Sequence, residues 1–351
     1  MKYTTAEEAL KSVKSGDRVY VHAAAATPTI LTDALTLRAP ELSNVEICHL
    51  HTGGVAKYAD IKYKDSFFVN SLFIGANVRH TLKQGNGSYT PMFLSEMANS
   101  IRKGMIKVDV ALIQVSPPDE HGYCSLGTSV ENARAAIDSA RVVIAQVNKH
   151  MPRTFGDGII HHSKINFCVE HHVPIYTLDN GEITPDEQKI GNYIAQLIDD
   201  KSCLQMGIGS IPNAVLSNLT NHKGLGLHTE MFSDGVIPLV KSGVITGEHK
   251  ELLQGKIVST FVHGSQELYD FVNNNPSVEM REACFTNNPY KIQKLSKMVA
   301  INSAIEIDVT GQVCADSLGS NLFSGVGGQV DFVYGASKSK NGKSIIALQS
   351  T

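Results

Sequence analysis

The 351-residue sequence predicts an α/β protein built as two tandem, structurally related open α/β domains. Three observations carry that prediction. Short β-rich runs alternate with helical patterns throughout, the order expected of parallel sheets with helices on their faces. Three segments of the first half recur in the second, in the same order and at nearly one offset. The composition, 42% hydrophobic and 19% charged, supplies apolar material for two cores of ordinary size.

In chain order, strands are expected at Arg18 to His22, Val45 to Leu50, Phe67 to Ile74, Val108 to Val115 and Arg141 to Val147. The second half offers Ser202 to Met206, Gly226 to Glu230, Lys256 to Val262, Val278 to Cys284 and Met298 to Val309. Helices are expected to begin near Thr27, Pro91, Ser129, Pro185, Ile211, Val236, Ser265 and Tyr290, several of them opened by a proline or a Ser/Thr cap. The boundary falls between 1–184 and 185–351, near Gly181 to Asp186, where Asn-Gly and Thr-Pro-Asp turn signals cluster.

The internal repeat is more informative than the element list. Val19 to Leu31 echoes Cys203 to Val215, with Pro28 and Pro212 184 positions apart. His51-Thr52-Gly53 answers His228-Thr229-Glu230 at an offset of 177, and Ser125 answers Ser317 at an offset of 192. Only the second copy carries a carboxylate after its His-Thr pair. At the carboxyl end of a parallel strand, where open α/β sheets place reactive groups, Glu230 could be a nucleophile, a general base or a helix cap. Gly207-Ile208-Gly209-Ser210 follows a strand and opens a helix, so its N–H groups could approach an anion or an oxyanion closely. A dinucleotide site is half-matched, since an acid stands 23 residues after Gly207, but Pro212 occupies the place of the third glycine. A plain tight turn is the competing reading. Gly325, Gly327 and Gly328 form a second cluster, which demands special backbone angles or close ligand approach and could equally be a hairpin turn.

The segments Gly207 to Val215, His228 to Gly235 and Gly327 to Ala336 resemble the acetyl-CoA hydrolase/transferase family of CoA-transferases, within it the 4-hydroxybutyrate and butyryl-CoA:acetate enzymes. Further similarity covers Phe93 to Glu96, Val115 to Tyr123 and Gly156 to Ile165, so it spans nearly the whole chain. The resemblance implies a CoA-transferase-like fold with the active site at the domain interface and Glu230 as covalent nucleophile. It implies an oxyanion hole from the backbone of Ile208 and of Gly327 or Gly328. For CoA it implies contacts from Gly207, Gly209, Ser210, Gly328, Gln329, Asp331, Phe332, Gly335 and Ala336. CoA would enter as a substrate and a short carboxylic acid as its partner, with no resident cofactor and no metal. Acyl-CoA hydrolysis on the same fold, or non-catalytic CoA or nucleotide binding, are the alternative activities. Relatives continue past the last residue, so the second domain is expected to be truncated, and they commonly form homodimers or larger homo-oligomers.

Charge excludes other partners. Lys+Arg 31 against Asp+Glu 34 leaves a net charge of -3, which offers no field for nucleic acid and no polybasic membrane footprint. The six cysteines stand singly without a C-x-x-C pair, and the start lacks an apolar leader core, which together point to a cytoplasmic location. His161-His162 and His171-His172 flank Cys168 without a zinc spacing. Glu96 and Glu131 read as helix-face or N-terminal charges. His228 shares a strand face with Glu230 by period two and is a candidate to tune it.

Overall fold

A computed structural model describes residues 3–178, 181–207 and 209–350. The first half forms a seven-stranded parallel sheet from β1 (Arg18–Val21), β2 (Val45–His49), β3 (Phe67–Ser71), β4 (Gly87–Tyr89), β5 (Val110–Val115), β6 (Val142–Val147) and β7 (Phe167–Glu170), ordered β7-β6-β5-β1-β2-β3-β4. Every residue of β5 and β6 is buried, as central parallel strands covered by helices require. Helix α1 (Thr29–Leu37) packs on one face, while α2 (Leu94–Arg102) turns Leu94, Met97, Ala98 and Ile101 into the other. The short β4 and β7 escape the sequence pattern: β4 is Gly-Ser-Tyr and carries no apolar alternation.

The second half opens with α3 (Pro185–Ala195), whose start is fixed by a capping box: Glu187 N donates to Thr184 Oγ1 at 3.3 Å and Thr184 N donates back to Glu187 Oε2 at 2.8 Å. Its main sheet has four parallel strands, β8 (Cys203–Met206), β9 (Gly226–Leu227), β10 (Met298–Ser303) and β11 (Lys343–Ala347), ordered β9-β8-β10-β11. This order repeats β2-β1-β5-β6 of the first sheet, with β8 standing where β1 stands, as the echo of Val19 to Leu31 in Cys203 to Val215 requires. Helix α4 (Ser210–Ser217) follows β8 as α1 follows β1.

Three expected elements end early or change type. The run Gly226 to Glu230 leaves the sheet after Leu227, Val278 to Cys284 breaks after Met280 into the short helix α5 (Ala283–Thr286), and Met298 to Val309 stops at Ser303. Past Ser303 come two exposed antiparallel hairpins, Glu306–Ile307 with Val313–Cys314 and Ser317–Leu318 with Asn321–Leu322. The second glycine cluster is the N-terminal end of a helix, α6 (Gln329–Lys338), with Gly328 as its cap, and not a hairpin.

The halves share one core. A single buried cluster runs from Tyr20, Leu72 and Met97 on the first sheet to Phe232, Met280 and Ile301 in the second half. Backbone pairing also crosses: Phe155–Gly156 of the first half joins Val278–Met280 in parallel, beside Ile257–Ser259. Among the described residues no helix is long and apolar enough to cross a membrane.

Candidate active site

Glu230 lies just beyond β9, on a segment held by the neighbouring chain. Its main-chain carbonyl accepts four hydrogen bonds, from Thr260 N (2.9 Å), Phe261 N (3.1 Å), Ser259 Oγ (2.9 Å) and Thr260 Oγ1 (2.8 Å). That fixes the backbone and leaves the side-chain torsions to aim the carboxylate. Asn287 Nδ2 donates to Glu230 Oε2 at 2.8 Å. Gly328 closes the other side: a Cβ there would overlap both Glu230 Oε2 and Asn287 Nδ2. Gly328 has φ -102 and ψ -3, a conformation open to any residue, so the glycine answers to the nearness of the carboxylate. Gly327, at φ +56, needs glycine for its backbone.

Asn287 carries no chemical motif in the sequence, and its place is set from two directions. His228, fully buried, donates Nε2–H to Thr286 O at 2.8 Å, and Ala283 N donates to Glu131 O at 3.1 Å, so α5 is tied at both ends. Burial, with Lys250 nearby, pushes the His228 imidazole down to about 3, so it is neutral. The connection of His228 to Glu230 is therefore indirect, through the Thr286 carbonyl next to Asn287. Glu131 is no surface charge: it is fully buried, Ser129 Oγ hydrogen-bonds its Oε2, and Oε1 has no partner among the described residues. Burial pushes its carboxyl up to about 8, so it is a neutral acid at neutral pH.

Burial also raises Glu230 to about 7, opposed by the Asn287 hydrogen bond and reinforced by the charge of Asp331. Near neutral pH the group is thus divided between acid and carboxylate, and the carboxylate is the nucleophilic form. A cavity of about 160 Å³ opens in front of it, with Phe73, Gly207, Asn302 and Gln329 in its wall. Gln205 and Asn302 exchange amide hydrogen bonds of 3.1 and 3.0 Å on that wall.

The first half holds the glycine loop. Ile74 N donates to Ser324 O (2.6 Å), Val326 N donates to Tyr89 Oη (2.8 Å) and Leu94 N donates to Gly327 O (3.3 Å). Asp331, 3% exposed, accepts from Ser95 N (3.1 Å) and Ser95 Oγ (2.8 Å), capping α2, whose own preceding residue Phe93 supplies no side-chain cap. Burial raises Asp331 to about 6, opposed by the Ser95 bonds. No acceptor among the described residues takes the N–H of Gly327 or Gly328, which lie at the positive end of the ten-residue α6.

The expected CoA contacts divide by helix face. Gly207, Gly328 and Gln329 line the cavity. Asp331 turns to Ser95, while Phe332 and Ala336 are fully buried against Ile292 and Met298, and Gly335 packs on the Ile292 side chain. At helical spacing the other face of α6, with Val330, Val333 and Tyr334, lines an apolar groove of about 480 Å³ that adjoins the cavity through Gly325, Val326 and Gln329. The exposed Gly209 precedes α4, and the Ser210 hydroxyl is bonded to Glu187 instead of facing Glu230. Ile208 lies outside the described residues. Among the described residues no group of His, Cys, Asp and Glu side chains could hold a metal ion.

A carboxylate beside unpaired amide donors, at the seam of two related parallel α/β halves, is an arrangement that can carry acyl transfer. The chain belongs to the acetyl-CoA hydrolase/transferase family, whose N-terminal domain model matches residues 1–178 and whose C-terminal domain model matches residues 264–351. It is 46% identical over 350 residues to 4-hydroxybutyrate coenzyme A transferase of Clostridium kluyveri, covering 100% of this chain and 82% of the relative. RipA from Yersinia pestis superimposes with a TM-score of 0.94 at 33% identity, over 100% of this chain and 82% of that one. A 4-hydroxybutyrate CoA-transferase from Porphyromonas gingivalis gives 0.85 at 38% identity, over 99% and 81%.

Proposed function

We propose that the protein is a CoA-transferase that moves CoA between a short-chain acyl-CoA (4-hydroxybutyryl-CoA, butyryl-CoA or acetyl-CoA) and a carboxylic acid such as acetate. The observation that supports this most directly is the Glu230 carboxylate packed against Gly328 and held by Asn287 in a narrow cavity.

In this reading Glu230 attacks the thioester carbonyl, and the oxyanion meets the N–H groups of Gly327 or Gly328 and of Ile208. The tetrahedral adduct collapses with loss of CoA thiolate, leaving an acyl anhydride on Glu230. The thiolate then attacks the Glu230 carbonyl carbon, which releases the donor acid as its carboxylate and forms a glutamyl-CoA thioester. An acceptor carboxylate reverses both steps, and the cycle is ping-pong. The apolar groove beside α6 suits the arm of CoA, with Val330, Val333 and Tyr334 in place of the buried Phe332 and Ala336. CoA comes and goes as substrate and no resident cofactor takes part. The expected setting is a cytoplasmic homodimer or larger homo-oligomer.

The test is incubation with acetyl-CoA or butyryl-CoA without acceptor acid, followed by peptide mass spectrometry. A CoA adduct on the peptide containing Glu230 is expected, and Glu230→Gln should give none. Transfer retained by Glu230→Gln would eliminate the nucleophile. Release of free CoA at the rate of acyl-CoA loss would make the protein a hydrolase, and CoA binding without turnover would make it a binding protein.

A further inference from the structure

In the loop before α6, Gly325 at φ +132 and Gly327 at φ +56 lie in the left-handed region, and Gly328 follows as a third glycine. So many glycines leave the backbone free to turn, and the aim of its N–H groups depends on what grips it from outside. Three of the bonds that grip it come from the first half: Ile74 N to Ser324 O, Leu94 N to Gly327 O and Val326 N to Tyr89 Oη. Tyr89 supplies the one side chain among these partners.

Two of these bonds set the direction of the donors beside Glu230. Among the described residues no peptide bond is cis, so the C=O and N–H of each peptide unit point in opposite directions. With the Gly327 carbonyl turned to Leu94, the Gly328 N–H is turned away from the start of α2. Tying the Val326 N–H to Tyr89 orients the 325–326 unit in the same way. The unit between them, which carries the Gly327 N–H, is set by the two that flank it.

The Tyr89 ring lies directly on the loop: a Cβ at Gly325 would stand 2.8 Å from Tyr89 Oη and 2.9 Å from Cε2 and Cζ. The ring is also well rooted, since Tyr89 pairs with Ser71 across β3 and β4 and Thr90 N donates to Ser71 O at 3.0 Å. Val326 lines both the Glu230 cavity and the groove beside α6, and Tyr89, which lines neither, stands behind it.

We propose that Tyr89 is a positioning residue for acyl transfer: through its bond to the Val326 N–H it holds the glycine loop so that the N–H groups of Gly327 and Gly328 meet the oxyanion. The first half thereby aims donors that belong to the second. This inference rests on the transferase reading. The oxyanion exists only in the transition state and the tetrahedral adduct, so a loosened loop slows the attack and leaves acyl-CoA binding as it was.

The test follows single-turnover formation of the Glu230 adduct while the acetyl-CoA concentration is raised, which yields a limiting rate and a half-saturating concentration. Tyr89→Phe keeps the ring on Gly325 and removes one neutral hydrogen bond, so the limiting rate should fall about five- to tenfold. The half-saturating concentration should change by less than about twofold. The acid limb of the rate's pH profile should stay in place, because the bond from Asn287 to Glu230 is untouched. An unchanged limiting rate would overturn the assignment. So would a loss carried by the half-saturating concentration, or one that comes with a lower melting temperature, since a general loosening would then account for it. The wild type separates this failure from the other: no adduct on wild-type Glu230 brings down the transferase reading, whereas an adduct that forms equally fast in Tyr89→Phe brings down only the role of Tyr89.

Discussion

Gly328→Ala tests the site at its tightest point. The added methyl would occupy the space of Glu230 Oε2 and Asn287 Nδ2, the far ends of two side chains, so it is relieved only by moving them apart. The backbone at Gly328, with φ -102 and ψ -3, accepts alanine without strain, so the fold should persist. The carboxylate must swing away and break the 2.8 Å bond from Asn287. A hydrogen bond to a charged group is worth about 1.5–3 kcal/mol. If that interaction serves the transition state in full, kcat/KM falls roughly 10- to 150-fold. The assay is acetyl-CoA to butyrate exchange followed by chromatography of the CoA thioesters, with a thermal melt alongside. Gly327→Ala is the matched contrast. Its φ of +56 disfavours any side chain, and a Cβ would press on Phe73 at 3.1 Å, so that variant should lose about 1–2 kcal/mol of stability. Gly328→Ala with wild-type kcat/KM, in a protein of unchanged melting temperature, would refute the view that Gly328 is there to admit the carboxylate.

Two further perturbations read the electrostatics. Asn287→Ala removes the one hydrogen bond that lowers the Glu230 pKa, so the group should titrate above about 7. The acid limb of the kcat/KM profile should move to higher pH, with the rate at pH 7 down about tenfold and partly recovered at pH 9; an unmoved limb would show that Asn287 does not act on Glu230. Glu131→Gln addresses stability. A carboxyl whose folded pKa of about 8 exceeds its unfolded value of 4.5 keeps its proton in the folded state, so folding loses stability as pH rises from 4.5 to 8, by up to about 1.4 kcal/mol per pH unit. The Gln variant should flatten the fall in melting temperature over that window. An identical pH dependence in both proteins would mean that Glu131 is not a buried neutral acid.

The alternation of strands and helices made the two-sheet architecture legible, because central parallel strands are apolar on both faces and leave a strong local signal. Glu230 was legible for a different reason: the repeat put it opposite Gly53, and a charged residue in one copy alone calls for an explanation. Asn287 and Glu131 were not. Asn287 reaches Glu230 only because His228 and the Glu131 carbonyl anchor a four-residue helix from either side, and such contacts span 58 and 152 positions of sequence. Glu131 looked like a helix-start charge, since the helix following Ser129 begins only at Ala133 and the intervening residues pass through the shared core. The segment Gln329 to Ala336 was recognisable while the duties of its residues were not. In α6 the residues that look most distinctive, Asp331, Phe332, Gly335 and Ala336, seat the helix, and the less distinctive Val330, Val333 and Tyr334 face the groove.

The same contacts explain why only one copy of the repeat carries the carboxylate. Gly53, the counterpart of Glu230, lies under the Tyr176 ring from the segment that joins the halves: a Cβ there would stand 2.7 Å from Tyr176 Cδ2 and 3.0 Å from Ala24 O. Tyr176 is held in turn, its carbonyl accepting from Tyr269 Oη at 2.5 Å. A glutamate at this position would have to displace the Tyr176 ring in the connection between the two halves. At Glu230 the opposite arrangement holds, since the partner position, Gly328, has no side chain, and its neighbours Val326, Gly327 and Asp331 are bonded to Tyr89, Leu94 and Ser95 of the first half. The asymmetry that singled out Glu230 in the sequence is therefore enforced by packing at both places.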